Sequence, residues 1–313
     1  MIRLIPFTFL LLLLASCGQN SDIFIEQSNQ VYIDELFDAL VESGQTYTYY
    51  GDSSSANFIT EEGILVVIDL SKVQDEEGNL YMGQQRFTVE VLDSAKEIFY
   101  NQLSTEANGN LFSPLATLKY TIKDESGTQL KVLRDAVKYY VPGQFDDSSR
   151  VELYRQQSEI WGEISEESSL SIGDFEIQNS EAMIWSDFGY TFYAEPDRWY
   201  TVTTVKSLPD AESQQLCIES DYDYTDTRMY LVNTTNNAAV LVSYSTILDQ
   251  FCESWIGVLD ENKYKLYVIS AYDEVQYGLT VMDVSDLRDN NQISLPPDGQ
   301  VLDKEEMLEL LSE

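Results

Sequence analysis

Across 313 residues, 54 acidic side chains face only 18 basic ones, leaving a net charge of −36. A field of that sign repels phosphate backbones and anionic lipid surfaces, which excludes nucleic acid as a partner. Histidine does not occur, which excludes Ser-His-Asp and Cys-His catalysis and imidazole-ligated zinc or iron; an enzyme would have to use paired carboxylates or a Ser-Lys pair. The acids are dispersed rather than gathered in a tail, as in a protein kept soluble in a salty habitat or one with a cation-binding surface.

The chain opens MIRLIPFTFLLLLLASC. Arg3 gives a short positive region, Leu4 to Leu14 an apolar stretch too short for a membrane-spanning helix, and Ala15 and Ser16 are small. Leu14-Ala15-Ser16-Cys17 resembles the bacterial lipobox. That resemblance implies a signal peptide over residues 1–16 and a lipidated Cys17; the alternative is an ordinary secretory signal that contains a cysteine. Two or more acyl chains anchor stably, because each buried methylene contributes about 0.8 kcal/mol. The expected location is lipid-anchored at the outer membrane, on its periplasmic face or at the cell surface.

Residues 17–44 read as a lipidated tether and a short helix. Ile33, Leu36, Phe37 and Leu40 recur at helical spacing within Tyr32 to Val41, Gly44 follows as a stop, and the helix is expected to pack on the first domain. From Gln45 onward the pattern is strand. Gly63 to Asp69 (GILVVID) is a continuous apolar run of the kind a buried strand carries, and Arg86 to Leu92 alternates with Phe87, Val89 and Val91 inward. Many short strands without intervening helices predict an all-β chain of two β-sandwich domains, the first over residues 45–165 and the second over 166–292. The boundary is expected within Ile164 to Leu170, and an acidic C-terminal tail over 293–313 carries a short helix from Asp303 to Leu311.

With Cys17 lipidated, Cys217 and Cys252 remain as an even pair in an oxidising compartment. A disulfide between them would stabilise by roughly 4 kcal/mol on the chain-entropy model; two free buried thiols are the alternative.

A family resemblance rests on Thr60-Glu-Glu-Gly63, the apolar strand to Ile68, Glu77-Gly78-Asn79, Gly83 and the alternating strand to Val91. It continues through Thr105 to Leu111, Leu118 to Lys123, Lys138 to Pro142, Val151 to Tyr154 and Ile160-Trp161. These segments resemble uncharacterised Bacteroidetes lipoproteins whose first domain is similar to the ankyrin and netrin-receptor (zonula-occludens/Unc-type) β-sandwich. Asp69-Leu70 stands where that family has a proline, and Arg198-Trp199 where it has Gly-Trp. The resemblance implies a fold and an envelope setting, and carries no catalytic residue.

Glu219, Asp221, Asp223 and Asp226 form the densest acidic group; strand alternation would set the first three on one face, as oxygen ligands for Ca²⁺ or as solvated carboxylates. The acidic stretch Asp75-Glu76-Glu77 reads as a charged hairpin turn, and Asp93-Ser94-Ala95 resembles a three-residue O-glycosylation acceptor. Strand neighbours among Tyr49-Tyr50, Tyr139-Tyr140, Trp185, Trp199-Tyr200, Tyr222 and Tyr224 must point to opposite faces, so some rings face outward, as platforms for sugars or as half-buried strand residues. The expected function is a non-catalytic, membrane-anchored binding or scaffolding lipoprotein of the cell envelope, with an envelope protein or glycan as partner. A surface glycan-binding lipoprotein and a carboxylate-based glycoside hydrolase are the alternatives. No cofactor is expected beyond the Ca²⁺ considered above.

Overall fold

The computed structural model describes residues 30–107, 110–143, 151–157, 160–163, 183–186, 189–207, 216–219, 226–233, 235, 237–245, 247–253, 264–283, 292–294 and 299–312. The signal peptide, Cys17, the start of the tether and the boundary expected at 164–170 lie outside them. Strands dominate, and the fold is all-β with three short helices among the described residues.

Helix α1 (Gln30–Leu40) leads into β1 (Gln45–Tyr50), β2 (Ser55–Ile59) and β3 (Leu65–Asp69). A 3-10 turn (Leu70–Lys72), β4 (Val73–Gln74) and β5 (Gln84–Leu92) follow. Helix α2 (Ala95–Tyr100) and β6 (Glu106–Ala107) precede the long β7 (Asn110–Asp124). Next come β8 (Lys131–Val132), β9 (Val137–Pro142), β10 (Val151–Gln157) and β11 (Ile160–Glu163). They are followed by β12 (Met183–Ser186), β13 (Gly189–Ala194) and β14 (Tyr200–Ser207). The rest comprises β15 (Leu216–Glu219), β16 (Thr227–Asn233), β17 (Ala238–Leu241), β18 (Ser243–Ser245) and β19 (Gln250–Glu253). It ends with β20 (Lys265–Ala271), β21 (Gln276–Asp283), β22 (Gln292–Ser294), β23 (Gln300–Asp303) and α3 (Lys304–Ser312).

In the first unit, a sheet in the order β1-β5-β7-β14-β10-β11, with β6 beside β7, shares one core with a five-stranded sheet in the order β12-β13-β9-β3-β2. Phe87, Leu118, Tyr120 and Val202 from the first meet Val66, Ile68, Tyr139 and Phe192 from the second. Ring pairs such as Phe87–Tyr120, with centroids 5.0 Å apart, fill that core. Strands β13 and β14 lie beyond residue 165, yet β14 sits between β7 and β10 and β13 beside β9. The division at 165/166 is therefore corrected: the first unit runs on to Ser207. Alternation tells which side of a strand is buried, and not which sheet claims the strand.

In the second unit, sheets β18-β19-β15-β22 and β17-β16-β20-β21-β23 enclose Ile218, Met229, Leu231, Val240, Phe251, Leu266 and Val268. All three helices cover the other face of the five-stranded sheet: Phe37, Phe99, Met307 and Leu311 pack there with Tyr230, Ile269 and Tyr277. Helix α1 has the expected spacing and buries Ile33, Leu36 and Phe37 completely. Its partner differs from expectation, because the face it fits belongs to the second unit, where Tyr277 Oη donates to the Tyr32 carbonyl at 3.2 Å and Arg228 pairs with Asp34 at 3.3 Å. The C-terminal segment is likewise built in: β22 and β23 pair within sheets and α3 buries Met307 and Leu311.

Helix α2 comes from the first unit and enters this layer, so residues 93–105 fasten the two units together. Phe99 lies 5.4 Å from Phe37 and 4.9 Å from Tyr230 between ring centroids. Thr105 N–H donates to the Ala239 carbonyl of β17 at 2.7 Å, Leu241 N–H donates to Ser104 Oγ at 3.3 Å, and Asn237 Nδ2 donates to the Asp93 carbonyl at 2.7 Å.

Candidate binding face

Cys217 on β15 lies directly across from Cys252 on β19, and a disulfide joins them. Of the acidic group considered for Ca²⁺, Glu219 ends β15 and Asp226 precedes β16, while Asp221 and Asp223 lie outside the described residues. Among the described residues, no three His, Cys, Asp or Glu side chains gather as metal ligands.

Other sequence candidates have structural work. Asp75 caps its hairpin, accepting from Asn79 N–H at 2.8 Å and Asn79 Nδ2 at 3.2 Å, and these bonds hold its carboxyl below the usual range. Ser94 is the N-cap of α2: its hydroxyl donates to Glu97 Oε2 at 2.9 Å and accepts from Glu97 N–H at 3.2 Å. That commitment within the capping box opposes its use as a glycan acceptor.

A cleft of about 530 Å³ lies between the end of α1, the start of β1, the β2–β3 turn and α2, lined by Glu42, Glu61, Glu62, Glu90, Glu97 and Lys96 among others. Three of these acids are engaged. Glu62 accepts from Gln45 Nε2 at 2.8 Å, Glu90 pairs with Lys119 at 3.1 Å, and Glu97 caps α2. Beside them, burial and then the charge of Glu97 push the Asp93 carboxyl up.

The aromatic pairs divide as alternation requires. Tyr139 is wholly buried and its neighbour Tyr140 is 38% exposed. Trp199 and Tyr200 also point to opposite faces, yet both are buried, because the sheet is covered on both sides there: Tyr200 joins the sandwich core and Trp199 the helix-side cluster. Trp185 holds the register position opposite Tyr190; Tyr222 and Tyr224 lie outside the described residues.

The contrasting surface is the outer face of the five-stranded sheet. The register across β2, β3, β9 and β13 sets Ile59, Leu65, Tyr140 and Thr191 in one row, and Asn57, Val67, Lys138 and Tyr193 in the next. Ile59 is 64% exposed and Tyr193 46%, and Leu65 and Val67 are half-buried. The run Gly63 to Asp69 is thus covered on one side only, through Val66 and Ile68, which corrects the reading of β3 as a fully buried strand. Lys138 Nζ lies 5.0 Å from the Tyr140 ring centroid and 5.5 Å from that of Tyr193, a cation held between two rings that are diagonal neighbours across β9 and β13. The face offers flat apolar area, two phenol hydroxyls and one ammonium. It has the means to bind and to orient. Sequence reading found Tyr140 and missed Tyr193, Lys138 and the outward half of β3. Their signal is the inward/outward alternation in VKYYV and GYTFY once the strands are paired.

Comparison with known proteins adds no relative: no family model, no curated protein and no solved structure matches this chain.

Proposed function

We propose that this chain is a non-catalytic binding protein of a bacterial cell envelope, held to the outer membrane through lipid on Cys17, with the outer face of the five-stranded sheet as its docking surface. The observation that carries the reading is that face itself: Ile59, Leu65, Val67, Tyr140 and Tyr193 form two adjacent rows of solvent-facing apolar and aromatic residues on a chain of net charge −36. Contiguous apolar surface of this kind marks interaction sites, whereas scattered single residues do not. The lipobox-like segment supports the anchor, and the helix that follows the tether packs on the second unit. The first unit is thereby left to present its face.

A second reading is favoured by one feature. Two exposed tyrosines beside an ammonium suit a sugar ring, which stacks on aromatic faces and takes hydrogen bonds at its edge, so a surface glycan is the alternative partner. The test has two arms. Proteinase treatment of intact cells, beside a Cys17→Ala control, reads anchoring and orientation: the parent is retained in the membrane fraction and the control is released. A defined polysaccharide panel is then titrated against the parent and a Tyr140→Ala/Tyr193→Ala variant. Saturable binding lost in the variant supports the glycan; loss of membrane retention in neither protein rejects the anchor.

A further inference from the structure

Strand β2 is an edge of the five-stranded sheet, paired only with β3 among the described residues. The hydrogen-bond phase of that pair follows from its two ends: Thr60 N–H donates to the Ile64 carbonyl at 2.9 Å, and Leu70 N–H donates to the Ser54 carbonyl at 3.1 Å. In an antiparallel ladder bonded pairs recur at every second residue. Residues 54, 56, 58 and 60 therefore direct their backbone groups to β3, and Ser55, Asn57 and Ile59 direct theirs away from the sheet. Tyr47 Oη donates to the Ile59 carbonyl at 3.1 Å from the far side, in agreement with that phase. Among the described residues, what stays open is the Ser55 and Asn57 peptide groups and the Ile59 N–H.

Natural edges are blunted by charge, proline or a bulge. Strand β2 reads Ser-Ala-Asn-Phe-Ile and has none of these, and its register with β3 is unbroken. Elsewhere the molecule does cover an edge: on β17, the bonds from Ser104 and Thr105 take up backbone groups of Ala239 and Leu241. The β2 edge also adjoins the apolar rows, since Ile59 begins the row that continues through Leu65 to Tyr140.

We infer that β2 accepts one extended strand of a partner protein, added edge-on to the five-stranded sheet, with apolar side chains continuing the Ile59–Leu65–Tyr140 row and basic residues at its ends. This rests on reading that sheet as the docking face. Charge selects the occupant. The open strand is uncharged but bracketed by Asp52 on one side and Glu61 and Glu62 on the other. A second copy of this chain is disfavoured, because antiparallel pairing of β2 with itself about Asn57 sets Glu62 opposite Asp52, and like charges directly opposed destabilise a ladder. A strand with lysine or arginine at those positions meets the same geometry with the sign reversed. Strand addition takes its affinity from main-chain hydrogen bonds and its specificity from alternate side chains.

The probe is a labelled eleven-residue peptide of alternating valine and threonine with lysine at both ends, long enough to set those lysines opposite Asp52 and Glu62, titrated against the full chain by fluorescence anisotropy. The expected result is saturable binding to the parent and to Asn57→Ala alike, and at least about tenfold weaker binding to Asn57→Pro, which deletes an outward N–H without removing a bond to β3. The same peptide ended with glutamate binds more weakly. Amide exchange on the unmodified parent gives a readout independent of the proline variant: the Ser55, Asn57 and Ile59 amides exchange readily alone and become protected with peptide. Absence of saturable binding, equal binding by Asn57→Pro, or protection of those three amides in the free chain overturns the inference. If the peptide fails while a saccharide still loses binding in Tyr140→Ala/Tyr193→Ala, the docking face stands and the added strand falls.

Discussion

The two sheets of the first unit share a core but differ on their outer sides. In the larger sheet, the middle strands β7, β14 and β10 are buried twice over: Leu118, Tyr200 and Val202 enter the sandwich core, while Phe112, Tyr154 and Trp199 join the helix-side cluster and Thr117 and Thr201 bond to each other at 3.0 Å. The five-stranded sheet is buried once, and its outer side keeps Tyr140, Tyr193 and Ile59 in solvent. Both sheets carry apolar residues on two faces. The difference is that in one the second face is matched by other described parts of the chain, and in the other no described residue covers it.

Substitutions sharpen that contrast, the largest effect falling where a face is covered by the chain itself. Phe99→Ala, in the cluster that fastens the two units, is expected to cost about 3–5 kcal/mol in chemical denaturation. Removing the cross-strand bridge with Cys217→Ser/Cys252→Ser comes next, at about 2–4 kcal/mol, read from the shift in melting midpoint. Tyr120→Phe deletes the bond from its buried hydroxyl to the Ala194 carbonyl at 3.0 Å, and a loss of about 1 kcal/mol is expected by denaturation. On the outer face, Tyr193→Ala is expected to move stability by no more than about 0.5 kcal/mol, as for a half-exposed residue whose ring meets the Lys138 ammonium but lies outside the buried clusters of the described residues. A cost as large as that of Tyr120→Phe would show that the outer face is structural and would erase the contrast.

A smaller effect tests the joint by pH. The Asp93 carboxyl is raised in the fold by burial and by Glu97, so the folded state favours its protonated form. Its contribution is present below the unfolded carboxylate range and is lost as pH rises through the folded value. Asp93→Asn is therefore expected to raise the melting midpoint at pH 7 relative to the parent, with the gain shrinking as pH falls through the raised folded value and gone below the unfolded carboxylate value of about 4. A gain independent of pH would assign the effect to something other than this carboxyl.

The sequence made the strand class, the spacing within α1 and the cysteine pair legible, because each is a local or parity signal. Ile33, Leu36 and Phe37 repeat with the helical turn and are fully buried, and Cys217 and Cys252 are what remains once Cys17 is set aside. Sheet membership was not legible. The burial of Tyr190, Phe192, Tyr200 and Val202 in the first core depends on pairings across long stretches of chain that no local pattern encodes. The exposed side of β3 was hidden for a related reason: Leu65 and Val67 are as apolar as Val66 and Ile68, and composition does not distinguish a face covered by the chain from one left in solvent.

The most direct measurement is thiol labelling in place. Tyr193→Cys and Tyr50→Cys variants would be treated with a membrane-impermeant maleimide, both in isolated envelopes and as purified protein. Tyr50 is the control, being 59% exposed at the end of β1, away from the apolar rows. If the five-stranded sheet is the working face, the Tyr193→Cys variant labels slowly in the envelope and freely once purified, while the Tyr50→Cys variant labels at the same rate in both. Equal labelling of both variants in both settings would contradict the central claim, for the face would then be bare where the protein works.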